Sequence, residues 1–141
     1  MLAALMLVLF ADTPKVDKAE LKKLQGKWTV TAHEHGGMKT PAKELTSLVL
    51  EVKGAKMITH EGDKLKEGTS IIALDPKAKP AALDLKVDTS DDAGKVVKAI
   101  WKRSGDTLTI CVAEPGKDRP TEFDGKKDSG HTLMVFKKAA K

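Results

Sequence analysis

Two histidines, His33 and His35, stand two residues apart in a stretch of alternating polar and apolar residues, with a third at His60. On a strand that spacing turns both imidazoles to one face. Two ring nitrogens so placed could begin a zinc site, but no Cys, His or carboxylate sits at a spacing that completes one. The face opposite Trp28 reads as solvent, so the expectation is exposed histidines and no metal. Cys111, the single cysteine, lies in the apolar run Thr107 to Ala113, and His131 is the one base the sequence offers it. A free thiol in such a run behaves as a small buried hydrophobe rather than a nucleophile. Asp88, Asp91 and Asp92 could gather a hard cation, yet they lack the Asp-x-Asp-x-Asp-Gly spacing of a calcium loop, and a solvated turn is expected.

The most distinctive stretch is Arg119-Pro120-Thr121-Glu122-Phe123, which offers a fork of donors, a rigid Pro and an aromatic ring. Arg119, Thr121 and Phe123, with Trp101, form the candidate ligand-binding set. The competing expectation is that Phe123 caps the open end of the fold while Arg119 pairs with Asp118, Glu122 or a loop carbonyl. There is no Gly-rich phosphate loop, serine elbow or His-Glu-x-x-His pair, so no residue is assigned to catalysis and no cofactor is expected.

These residues need a scaffold, and the apolar spacing supplies one. Asp17 followed by Glu20, Leu21 and Leu24, with a stop at Gly26, predicts a short capped helix after Pro14. From Lys27 the period becomes two, with Trp28, Val30 and Ala32 on one face and Thr29, Thr31 and His33 on the other. Pro41 to Leu45 suggests one helical turn. Further strands are predicted at 48–53, 56–60, 69–74, 81–87, 95–103, 107–113 and 132–137, separated by Gly, Asp and Pro turns and by a long loop from Glu114 to Ser129. Eight short strands without an intervening crossover helix make an antiparallel meander. Each has an apolar face and none has a conspicuously blocked edge, so closure into a single barrel is expected, with a two-sheet sandwich as the other solution.

Composition narrows the function classes. With 25 Lys and Arg against 20 Asp and Glu, the 141-residue chain carries +5. Only Arg103 and Arg119 are arginines, the lysines are scattered along the sequence, and Tyr is absent. That pattern argues for solubility and against nucleic-acid binding, which favours clustered Arg with stacking aromatics. Met1 to Ala11 is uncharged and apolar and reads as a leader removed on export, although it lacks a basic start. It is too short to span a bilayer as a helix, which takes about 20 residues. Residues 12–23 then read as spacer and helix, and 24–138 as one domain.

Leu24-Gln25-Gly26-Lys27-Trp28 places a Gly-x-Trp after a short helix and at the start of the first strand. This resembles the lipocalin signature. The resemblance implies that Gly26 and Trp28 are structural, with the Trp plugging one barrel end beneath a basic side chain, here Lys137 or Lys138. More of the chain, from Leu21 to Lys138, is similar to a family of small, usually exported domains known chiefly from planctomycete bacteria. The carrying segments are Leu24 to Trp28, Leu74-Asp75-Pro76, Lys79-Pro80 through Leu83-Asp84, Gly105 to Leu108 with Cys111, and Arg119 to Phe123. The family commonly has Gly and Tyr where this chain has Ala99 and Trp101. It implies a lipocalin-like barrel and supplies no activity.

Together these readings predict a monomeric, non-enzymatic exported domain of the periplasm or envelope, binding a small apolar ligand or an envelope protein. The alternative is a purely structural or interaction module whose short barrel is already filled by its own side chains.

Overall fold

The computed structural model describes residues 15–139, so the segment Met1 to Ala11 expected as a leader lies outside the described residues. Helix α1 (Lys18–Leu24) begins at Asp17, whose carboxylate accepts the Glu20 amide at 2.9 Å. This is the cap that the Asp17 and Glu20 spacing predicts. Its lead-in is tied to the sheet by Leu74 N donating to Lys15 O and Asp17 N to Leu74 O.

Nine strands follow: β1 (Gly26–His35), β2 (Met38–Lys39), β3 (Leu48–Lys53), β4 (Lys56–Glu61), β5 (Lys64–Asp75), β6 (Ala81–Val87), β7 (Val96–Ser104), β8 (Thr107–Ala113) and β9 (His131–Lys138). The turn of helix α2 (Ala42–Leu45) lies between β2 and β3. Every strand pair among the described residues is antiparallel, and β9 pairs back onto β1, which closes an eight-stranded barrel. The ninth strand, β2, is a two-residue hairpin extension of β1. Closure satisfies the backbone groups that an open meander would leave on its edges. No helix among the described residues is long and apolar enough to cross a membrane.

Because neighbouring strands alternate in direction, connections 54–55, 76–80 and 105–106 gather at one end together with α1. Connections 36–47, 62–63, 88–95 and 114–130 gather at the other. The first end is closed by packing. Trp28 is 1% exposed and sits with Leu24, Leu74, Leu83 and Leu108. Its ring nitrogen donates to Leu24 O at 2.9 Å, and the Lys138 ammonium lies 4.7 Å from its ring. Of the two lysines that could cover the tryptophan, Lys138 does so, and its ammonium also donates to Gln25 O. Gly26 makes room for it: φ is +112°, and a β-carbon there would stand 2.9 Å from Lys138 Nζ.

Four features depart from the sequence reading. The β5 strand begins at Lys64 rather than Thr69, because its charged first residues pair with β4 outside the buried part of the sheet. On β1, Thr31 is an extra residue against β9, since Val30 pairs with Phe136 and Ala32 with Val135. The long loop lies on the outer wall. Finally, the lysines scattered in sequence are not scattered in space, as the ends of the barrel collect charge of opposite sign.

Candidate functional site

A cavity of about 350 Å³ occupies the half of the barrel away from Trp28. Its walls are inward residues of the strands, among them Leu50, Met57, Leu85, Val97, Ile110 and Phe136. Around its mouth stand His33, Thr59, Glu67, Ser90, Asp92, Glu114 and Thr132. The lower half of the barrel is filled and the upper half is not, so the expected short barrel still holds an interior space. That volume lies at the small end of the ~300 to 1,000 Å³ typical of small-molecule sites.

His33 corrects the expectation of an exposed histidine. The bulge at Thr31 reverses the alternation of β1, so the side chain counted onto the solvent face enters the mouth instead. Its Nδ1 is hydrogen-bonded with Thr40 Oγ1 at 2.9 Å. Burial, and secondarily the nearby His35, holds its pKa below the ordinary 6.5. His35 remains exposed, hydrogen-bonded with Thr132 Oγ1 at 2.9 Å. His60 lies 3.7 Å from Glu51. Among the described residues no three His, Cys, Asp or Glu side chains are grouped as metal ligands.

The depressed His33 pKa has a consequence with a definite sign. The unfolded chain binds the proton more readily, so folding stability falls as pH drops through 6.5 toward the lower folded value. Thermal melts of His33→Gln and of the parent are expected to converge as pH falls from 7 to 5. An identical pH slope in both proteins would exclude His33 as a source.

The sequence-selected ligand set does not converge on this cavity. Arg119 Nη1 donates to Leu83 O at 3.2 Å and Ala99 O at 2.8 Å, while Nη2 meets Asp84 at 2.7 Å. The guanidinium therefore clamps the loop to β6 and β7, and its partner is not the expected Asp118, Glu122 or loop carbonyl. Phe123 does not cap the open end; Lys102 Nζ lies 4.5 Å from its ring. Thr121 is exposed in the same loop, and Trp101 is buried with its indole donating to Ala82 O at 3.1 Å.

The chain matches no family model, curated protein or solved structure. What the loop does is therefore read from its contacts. It covers an apolar patch on the outside of the barrel, where Ile100 and Cys111 are both fully buried. The Cys111 thiol donates to Asp124 O at 3.3 Å, and burial pushes its pKa up. The unbroken run Ile110-Cys111-Val112-Ala113 was the available signal, because a strand apolar on both faces must be covered on both.

Proposed function

We propose that this domain is a lipocalin-like binding module, exported from the cell, that holds a small amphipathic molecule with its apolar body in the barrel and its polar end at the mouth. The observation that carries this is the cavity itself, with apolar walls below and hydroxyls, His33 and three carboxylates above. Apolar surface entering such a space leaves water, while the collar provides partners for the ligand's polar end. Glu67, Asp92 and Glu114 favour a donor-rich or cationic end over an anionic one; Asp92 is already shared with Lys95 at 2.9 Å. The uncharged apolar composition of Met1 to Ala11 supports export.

A neutral fluorescent naphthylamine, N-phenyl-1-naphthylamine, tests this reading. It is expected to bind saturably with one site per chain. Val97→Phe places a phenyl ring in the cavity and should weaken binding at least ~10-fold, equivalent to ~1.4 kcal/mol. Thr121→Ala, outside the cavity, should leave binding unchanged. No saturable binding to the parent protein, or equal binding by a folded Val97→Phe protein, would overturn the proposal.

A further inference from the structure

The fold sorts the charges of this chain by barrel end. Lys15, Lys18, Lys22 and Lys23 come from α1 and its lead-in, and Lys27 opens β1 at the same end. Turns and strand ends add Lys53, Lys56, Lys77 and Lys79, then Lys102, Arg103, Lys137 and Lys138. Against these thirteen cations stand five acids, Asp17, Glu20, Glu51, Asp75 and Asp106, a formal +8 in a chain whose total is +5, and Lys56 among the cations is paired with Asp88 at 3.2 Å. The four connections at the mouth hold ten acids against seven cations, a formal −3. Eleven of the thirteen cationic side chains belong to exposed residues.

We propose that the closed end docks on an anionic lipid surface, leaving the mouth of the barrel turned away from it. Charge complementarity favours this occupant. Lysines near an anionic leaflet each add attraction without needing a shaped groove, and Lys meets headgroup phosphates as a compact point charge. Nucleic acid is the less suited polyanion, because this end has one Arg, Arg103, and its aromatics are covered: Trp28 and Trp101 are buried, and Phe123 is half-buried with the Lys102 ammonium 4.5 Å from its ring.

The test is cosedimentation of the full chain with phosphatidylcholine vesicles made with and without phosphatidylglycerol. Binding is expected only with the anionic lipid and should be lost at high salt, where screening shortens the range of the attraction. Removing four closed-end charges with Lys18→Gln, Lys22→Gln, Lys23→Gln and Lys27→Gln should weaken it at least ~10-fold. The matched set Lys39→Gln, Lys43→Gln, Lys64→Gln and Lys66→Gln removes the same charge from the mouth and should leave binding within about twofold. If the first set fails to fold, Lys15→Gln, Lys53→Gln, Lys77→Gln and Lys137→Gln take the charge from other elements. Equal loss in the closed-end and mouth sets, equal binding to neutral vesicles, or binding to duplex DNA in place of vesicles would overturn the proposal.

Discussion

Trp28→Ala is expected to cost about 3 to 5 kcal/mol of folding stability, the range for truncating a large buried aromatic. The indole is 1% exposed at the closed end and packs in the main core cluster. Its loss would also free the Leu24 carbonyl that accepts its N–H and remove the ring beneath Lys138. A cation over an aromatic face adds ~0.5 to 1 kcal/mol where exposed, so the greater part of the cost is cavity and lost burial. Against a typical total of about 5 to 15 kcal/mol, one substitution would consume a large share of the stability. Urea unfolding of the parent, Trp28→Ala, Lys138→Met and the double variant separates the contributions. The two single losses should sum to more than the double loss, because the cation and ring act together. A Trp28→Ala midpoint displaced by less than ~1 kcal/mol would show that the closed end is held by something else.

The barrel was legible because its strands obey a simple rule. Leu83, Leu85 and Val87, then Val97, Ala99 and Trp101, alternate in sequence and are buried in the structure. Gly and Asp turns divided these runs at the right places, and the Gly-x-Trp motif pointed to the closed end. The mouth was not legible for a local reason. Its polar collar depends on His33, whose direction is set by a single extra residue, Thr31, that barrel closure inserts against β9. Thr31 has no Gly or Pro to announce a bulge, so alternation alone sends His33 the wrong way. The charge asymmetry was hidden differently. Lys53, Lys77, Lys102 and Lys137 are far apart in the chain and become neighbours in kind only when alternate connections fall at the same end.

The outer loop shows a third case, in which the residues were recognised but their purpose was not, and Gly125 provides the test. Gly125 is buried against β1, where a β-carbon would overlap the Glu34 carbonyl oxygen and lie 2.8 Å from its carbon. These are main-chain atoms of a paired strand and cannot rotate aside. Gly125 O also accepts the Gly37 amide at 2.7 Å, and its own N–H donates to Glu34 Oε1 at 3.1 Å. Gly125→Ala should therefore push this part of the loop outward, at a cost of about 1 to 3 kcal/mol typical of overpacking. Beneath it lies Cys111, fully buried and tied to Asp124 O. In the parent protein the thiol should react with a disulfide reagent only through rare opening of the loop. If Gly125→Ala weakens docking by about 2 to 3 kcal/mol, the open fraction and the labelling rate rise roughly 30- to 160-fold. Far-ultraviolet circular dichroism should meanwhile retain the barrel signal, since the closing pairs between β1 and β9 are untouched. Labelling as slow as in the parent, at the same melting temperature, would show that the loop does not shield Cys111 through its contact at Gly125.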